Sequence, residues 1–198
     1  MIYVYGDSHG MRSFKGLKLQ HVNCSEVSIT MHRIGRDKTI VGYSTSHLST
    51  ENTFVLVYGE VDCRCHVARQ IQLDRDLYEI CNELVTEYFD TISKSITTYK
   101  KIIVCAVIPQ IRRNDYESLF GQITHQYPFI GTDAERIKYT NIVNGLIKEQ
   151  CEKRGYTYFD GYNSYRRDDG TLDFAFSDKN VHLQENAQFL SEFEKLFE

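Results

Sequence analysis

Ile2-Tyr3-Val4-Tyr5-Gly6-Asp7-Ser8-His9-Gly10 is the stretch that decides the fold, because a strand-forming run ends there in a sharp polar turn. The run Ile2–Tyr5 lacks clean alternation, which is typical of a strand covered on both faces. A chain that turns through Gly-Asp-Ser into a helix leaves the Ser8 hydroxyl at the helix N-terminus, where backbone N–H groups favour negative charge. The plainer alternative is a polar turn in which Ser8 only caps the helix.

Four further short apolar runs are predicted as buried strands, and amphipathic helices lie between them. The runs are Val27–Met31, Thr53–Tyr58, Lys101–Val107 and Tyr156–Phe159. Three helices are predicted from apolar residues at helical spacing. The first follows Asp74 as its N-cap, and the last begins near Gln184. The second follows the capping-box pattern Thr132-Asp133-Ala134-Glu135 and ends at Gly155. The alternation predicts one α/β domain over residues 1–198, a three-layer α/β/α sandwich with a mostly parallel five-stranded sheet.

Composition narrows the classes of partner. The chain has 198 residues, a formal net charge of −4 and no long run of Lys or Arg, which argues against nucleic acid or an anionic membrane as partner. No signal-like apolar stretch follows Met1, and the six cysteines are scattered, so we expect reduced thiols and a cytoplasmic protein. The sequence leaves the oligomeric state open, and a homo-oligomer is one alternative.

Polar clusters follow the predicted strands at Gly6–Gly10, Gly59–His66 and Gln110–Asp115. Because ligands bind at the carboxyl ends of parallel strands, we expect these clusters to meet at one edge of the sheet. Ser177-Asp178-Lys179-Asn180-Val181-His182-Leu183 adds a loop before the last helix. It supplies His182 as a base for Ser8, expected roughly 2.6–3.2 Å away, and Asp178 to orient that base. Alternatively, this is only a helix-entry loop.

These motifs resemble the SGNH (GDSL-like) hydrolase family along nearly the whole chain. Gly6-Asp7-Ser8-His9 resembles its first block, Tyr58-Gly59-Glu60-Val61-Asp62 its third, and Asp178 with His182 its last. The resemblance implies a serine ester hydrolase or acyltransferase with Ser8, Asp178 and His182 as catalytic residues. It also implies a small acetyl-like ester substrate, by analogy one of a carbohydrate, and no cofactor or metal.

The chain departs from the family pattern in three places. Val61 stands where the family has its oxyanion Asn, and one extra residue separates Asp178 from His182. The oxyanion Gly of the second block has two candidates, Gly35 and Gly42. Losing one oxyanion donor typically costs about 10²–10³ in rate, so a substitute is expected.

Arg64 and His66 are the candidates to replace the missing Asn. The oxyanion and substrate-binding set is therefore predicted as Gly59, Asp62, Arg64 and Gly35. The alternative for Arg64 is an ion pair with Asp62 or Glu60, and both roles can hold together.

Two other classes share part of the pattern. Metallophosphoesterases also open with Gly-Asp-x-His-Gly, and Gly59-Glu60-Val61-Asp62 mimics their second motif, with Asp, His and Glu as metal ligands. The chain lacks the Asn-His and His-x-His segments which that family needs next. Cys63-x-Cys65-His66 is too tightly spaced for an ordinary zinc site. The second class is a non-catalytic binding protein on the SGNH fold.

Two polar segments are left over. Thr30–Asp37 is predicted as a solvated loop, with substrate binding as the alternative. Gln110–Gly131 follows the fourth predicted strand and carries aromatic residues, Arg112, Arg113 and His125. Long segments of this kind are often lids, and aromatic and Arg side chains would suit a sugar or an acidic acyl acceptor. A dimer contact and a small core of the segment itself are the alternatives.

Overall fold

The computed structural model describes residues 1–124 and 127–198 and contains one five-stranded sheet. The strands are β1 (Ile2–Gly6), β2 (His21–Asn23), β3 (Thr53–Val57), β4 (Lys101–Cys105) and β5 (Thr157–Phe159). Their spatial order is β2-β1-β3-β4-β5, and all four pairings are parallel. The predicted parallel α/β sheet is confirmed.

Helices cover both faces of this sheet. They are α1 (Ser8–Ser13), α2 (Met31–Asp37), α3 (Val67–Ile71), α4 (Leu77–Ser95), α5 (Arg113–Phe120), α6 (Asp133–Arg154) and α7 (Ala187–Glu194). A π-helical turn, Asp62–His66, leads into α3. One apolar core joins the sheet to α2, α4 and α6, and a second joins its other face to the end of α1 and to α7. No described helix is long and apolar enough to cross a bilayer.

The predicted strand Val27–Met31 is wrong, and β2 lies earlier in the chain. β2 is a three-residue edge strand in which Val22 is 43% exposed, so its sequence shows no buried apolar run. Ile29 and Met31 are buried, but from a loop and a helix start. The Thr30 hydroxyl accepts the N–H of Arg33 at 3.0 Å as the N-cap of α2. The predicted solvated loop Thr30–Asp37 is therefore mostly helical.

Other element boundaries move by a few residues. Asp76, not Asp74, caps α4 by accepting the N–H of Glu79 at 3.0 Å. Asp74 instead adopts a left-handed backbone with φ +55°, which short polar side chains tolerate. The last helix begins at Ala187 rather than near Gln184. The capping box that opens α6 and the left-handed Gly155 that ends it are confirmed.

The turn from β1 into α1 has no space for a side chain at Gly6. A Cβ there would lie 2.8 Å from the carbonyl oxygen of Val57 on β3 and 3.0 Å from Gly10. Asp7 then caps α1, its carboxylate accepting the N–H of His9 at 2.8 Å. This tight turn places Ser8 as the first helical residue, at the carboxyl edge of the central strands.

Candidate active site

Ser8, His182 and Asp178 are hydrogen-bonded in series. The Ser8 Oγ lies 2.9 Å from His182 Nε2, and His182 Nδ1 lies 2.9 Å from Asp178 Oδ2. Because an ionised carboxylate only accepts, Nδ1 carries the ring proton and Nε2 is left to accept from the Ser8 hydroxyl. The sequence expectation for the distance from Ser8 to His182 is met.

The extra residue between Asp178 and His182 is accommodated by a left-handed turn. Lys179 has φ +65°, and the N–H of Asp178 donates to the carbonyl of His182 at 3.0 Å, which folds the loop back on itself. Asp178 Oδ1 accepts the backbone N–H of Asn180 at 3.0 Å and that of His182 at 3.4 Å. The longer loop therefore holds the carboxylate against the His182 ring.

Electrostatics favour an ionised Asp178 and a neutral His182. Partial burial opposes ionisation of Asp178, but hydrogen bonds from the His182 ring and from backbone N–H groups outweigh it and lower its pKa. Burial lowers the pKa of His182, and the nearby His9 ring adds to that effect against the opposing influence of Asp178. A His of this kind is largely unprotonated at neutral pH, as a general base must be.

His9 lies behind the base and diverges from Ser8. Its Nδ1 donates to Asp7 Oδ1 at 3.0 Å and its Nε2 to the Val181 carbonyl at 3.3 Å. Burial opposes its charge, but Asp7 and Glu60 outweigh burial and raise the pKa of His9. Both partners are acceptors, which suits a cationic ring 4.7 Å between centroids from His182.

Ser8 and His182 line a cavity of about 200 Å³. The remaining described lining residues are Val27, Ser28, Val61, Arg64, Tyr116, Ile123, Tyr127, Asn180 and Val181. Val61, in the family's Asn position, contributes an apolar wall. Arg64 is 7% exposed, its Nε 3.3 Å from Glu60 Oε1, and its guanidinium lies 5.5 Å from the centre of the Phe129 ring. Arg64 thus makes the predicted ion pair with Glu60 while also lining this cavity.

The other members of the predicted oxyanion set, Gly59, Asp62 and Gly35, are not among the described residues that line the Ser8 cavity. Both carboxylate oxygens of Asp62 accept backbone N–H groups at the start of α2, from Met31 at 2.7 Å and from His32 at 3.1 Å. Gly59 adopts φ +113°, and a Cβ there would meet Val107 at 2.7 Å. Asp62 and Gly59 therefore shape the backbone beside the site.

The glycines proposed for the second block are also elsewhere. Gly35 lies inside α2, where a Cβ would meet Glu87 of α4 at 2.8 Å, so its role is close helix packing. Gly42 has φ +72° near the carbonyl of Cys24. Ser28, which lines the cavity, has φ +63°, a conformation in which glycine is usual. His66 stacks on His32 and is not among the described residues lining this cavity.

Of the side chains that mimic metal ligands, His9 and Asp62 are hydrogen-bonded to protein groups. Both ring nitrogens of His9 and both carboxylate oxygens of Asp62 are hydrogen-bonded. In the described part of the chain, Asp7 Oδ2 and both carboxylate oxygens of Glu60 are buried without a hydrogen-bond partner, although Glu60 is ion-paired with Arg64. Within residues 1–124 and 127–198, no group of three or more His, Cys, Asp or Glu side chains is arranged to hold a metal ion.

The segment Gln110–Gly131 contains α5 and borders the cavity. Its Tyr116, Ile123 and Tyr127 line the cavity wall. Ile111, Ile123 and Phe129 form a small apolar cluster with Val181, the residue before His182, so the alternative in which this segment forms a small core of its own is confirmed in part. His125 lies outside the described residues.

The sequence does not indicate Ser28 or Ile123 as cavity residues, and it indicates Tyr116 and Tyr127 only as members of the aromatic segment Gln110–Gly131. A non-glycine residue at positive φ leaves no compositional mark, so Ser28 had no signal. Aromatic residues in Gln110–Gly131 were noted, but nothing in the sequence fixed which of them face Ser8.

No family model matches the chain, and a search of curated proteins gives no significant match. Solved structures do match over 99% of its length. A Streptococcus pneumonia protein named after platelet activating factor aligns with a TM-score of 0.65 at 14% identity over 82% of that protein. An acetylxylan esterase from Geobacillus stearothermophilus aligns with a TM-score of 0.57 at 12% identity over 91% of that protein. A GDSL-like lipase from Bacteroides thetaiotaomicron aligns with a TM-score of 0.57 at 11% identity over 84% of that protein.

These likenesses show that the chain has the fold of the SGNH, or GDSL-like, hydrolases. Their identities are far too low to carry an activity across, because one fold hosts many functions. Function therefore has to be argued from the site.

Proposed function

We propose that this protein is a divergent SGNH-type serine hydrolase of small carboxylic esters. The observation that carries the proposal is the hydrogen-bonded series Ser8, His182, Asp178 in the wall of a cavity. A Ser hydroxyl is a weak nucleophile until a base takes its proton, and this series supplies both the base and the group that orients it.

In the proposed reaction, His182 Nε2 takes the proton of Ser8 as Oγ attacks the ester carbonyl. The tetrahedral intermediate collapses, the C–O bond to the alcohol breaks, and His182 returns the proton to the leaving alkoxide. Water, deprotonated by His182, then attacks the acyl-enzyme carbonyl. The C–O bond to Ser8 Oγ breaks, His182 returns the proton to Oγ, and the carboxylic acid leaves. Asp178 keeps the ring in the working tautomer and stabilises the imidazolium in both steps.

Arg64 is the proposed replacement for the missing oxyanion Asn. Its guanidinium is buried in the cavity wall, where a positive donor stabilises developing negative charge far better than it would in water. The backbone N–H of Ser28 is the proposed counterpart of the second-block glycine, because Ser28 borders the same cavity at positive φ.

The size of the cavity favours a short acyl group. At about 200 Å³ it lies below the roughly 300–1,000 Å³ range of ordinary ligand pockets, and Val27, Val61 and Val181 give it apolar walls. An acetyl-like group is therefore proposed. A carbohydrate ester as substrate rests on analogy with the acetylxylan esterase neighbour. Transfer to an alcohol instead of water would use the same residues.

The test is turnover of 4-nitrophenyl acetate together with covalent labelling by a fluorophosphonate. Ser8→Ala should abolish labelling and lower kcat by several orders of magnitude, as loss of a triad Ser does elsewhere. Ser118→Ala, an exposed serine of α5, is the control and should label and turn over like the wild type. Equal turnover by folded Ser8→Ala would overturn the proposal and favour a non-catalytic protein.

A further inference from the structure

A second, larger cavity lies beside the one that holds Ser8. Its volume is about 400 Å³, and Val61 and Tyr127 line both cavities, so the two share a wall. Its described lining residues are Thr30, His32, Arg33, Arg36, Val61, Cys65, His66, Arg69 and Tyr127. We call this space the basic cavity. None of its Arg side chains has a role in the reaction described above.

Three guanidinium groups line the basic cavity, from Arg33 and Arg36 on α2 and from Arg69 on α3. Asp37 is the carboxylate paired with two of them. It lies 3.5 Å from Arg33 Nε and 2.7 Å from Arg36 Nε, but it is not among the described lining residues. Because Arg33 and Arg36 share this one carboxylate, these two side chains together keep a net positive charge at the cavity wall.

Two stacked imidazoles add neutral donors to this wall. The rings of His32 and His66 lie 3.9 Å apart between centroids. Burial lowers the pKa of both, and neighbouring positive groups contribute, bringing the pKa of His66 to about 4. Glu83 and Glu87 border the His pair in a separate cavity that does not include the Arg33, Arg36 and Arg69 wall.

Asp62 follows Val61 in the sequence but is not among the described residues that line the basic cavity. Asp62 is fully buried, with both oxygens on backbone N–H groups, and burial raises its pKa to about 7. The described wall facing the cavity therefore presents guanidinium, imidazole and hydroxyl groups and no carboxylate.

We propose that the basic cavity binds an anionic group, phosphoryl or carboxylate, on the ester substrate whose carbonyl is attacked by Ser8. The inference deepens the proposed function and rests on it. Arg forks match the planar oxygens of carboxylate and phosphate, and charge-assisted bonds to them are the stronger kind of hydrogen bond. Val61 and Tyr127 line both cavities, so the two are adjacent, and the proposed substrate would place its ester beside Ser8 and its anionic group in the basic cavity.

The kinetic test uses three acetyl esters that differ only at the position remote from the ester: 1-acetylglycerol 3-phosphate, 3-O-acetylglycerate and 1-acetylglycerol. The wild type should prefer at least one anionic ester over acetylglycerol by about 10–100-fold in kcat/KM, the range for charged hydrogen bonds. Which anion is preferred distinguishes phosphoryl from carboxylate recognition.

In Arg33→Gln/Arg36→Gln that preference ratio should fall to within about threefold of one, since the double variant removes two of the three guanidinium groups. Lys148→Gln/Lys153→Gln is the control. It removes the same charge from the exposed surface of α6, outside both cavities, and should keep the wild-type ratio. A wild type that favours neutral acetylglycerol, or a ratio unchanged in the Arg variant, would overturn the inference.

A binding measurement separates this inference from the proposed function. Inorganic phosphate is titrated calorimetrically into Ser8→Ala and into Ser8→Ala/Arg33→Gln/Arg36→Gln. Binding lost in the triple variant supports the anion site even if the wild type hydrolyses none of the esters, in which case only the proposed function fails. Equal binding by both variants, or binding by neither, refutes the anion site.

Discussion

Asp178→Asn is the substitution that tests the hydrogen-bonded series most sharply. In the native loop, Asp178 Oδ1 accepts two backbone N–H groups while Oδ2 faces His182 Nδ1 at 2.9 Å. An amide at this position keeps its oxygen on the two backbone donors and points its NH₂ group at the ring. Because NH₂ only donates, His182 must shift its proton to Nε2, which then presents a donor to Ser8 and has no lone pair for the hydroxyl proton.

The expected loss in kcat is about 10³–10⁴-fold, the magnitude found when the same change imposes the wrong His tautomer in a serine protease. The fold should survive, since the backbone hydrogen bonds to the residue 178 side chain are retained. The assay is single-turnover acylation by 4-nitrophenyl acetate, with thermal unfolding to check folding. Asp168→Asn, a change at an exposed carboxylate, is the control. Acylation within about tenfold of wild type would refute the orienting role of Asp178.

Three further outcomes are expected. Burial lowers the pKa of His182 below 6.5, so the base stays mostly unprotonated as pH falls to that value. The value of kcat/KM at pH 6.5 should therefore exceed half of its plateau. A midpoint of the pH profile above 7 would contradict this expectation. Arg64→Gln should lower kcat by about 10²–10³. The double variant Arg64→Gln/Glu60→Gln removes both buried charges and should regain stability relative to Arg64→Gln. If its kcat nevertheless stays low, the loss of activity comes from catalysis and not from folding. Lys179→Val should be about 1–2 kcal/mol less stable than Lys179→Gly in denaturant titration, because a branched Cβ resists positive φ and glycine has no Cβ.

The elements that could be predicted from the sequence are those with a strong local pattern, such as an apolar run or a capping signal. β1, β3 and β4 are buried apolar runs, β5 contains the strand-forming residues Thr157, Tyr158 and Phe159, and α6 has a capping box and a glycine stop, so each has its own signal. β2 has none, because a short edge strand of polar residues owes its structure to pairing with β1. The neighbouring run Val27–Met31 placed two buried side chains two residues apart and so imitated a strand.

The candidate site was predictable where chemistry depends on residue type. Ser8, Asp178 and His182 carry the hydroxyl, carboxylate and imidazole groups that their proposed roles require. The oxyanion set was less predictable, because backbone N–H groups belong to every residue and only conformation selects them. Asp62 and Gly35 illustrate this: one bonds the start of α2, and the other allows α2 to approach α4.

Val181, directly before the proposed base, is held from two sides. Its side chain lies in the apolar cluster with Ile111, Ile123 and Phe129, and its carbonyl accepts a hydrogen bond from the buried His9 ring at 3.3 Å. The base is therefore ordered when the protein folds, and substrate binding does not carry the entropy cost of ordering it. Loosening this cluster would free the loop to sample non-productive positions. A mutation of Ile111, which is not among the described residues lining the Ser8 cavity, would therefore lower kcat while leaving the affinity for substrate largely intact.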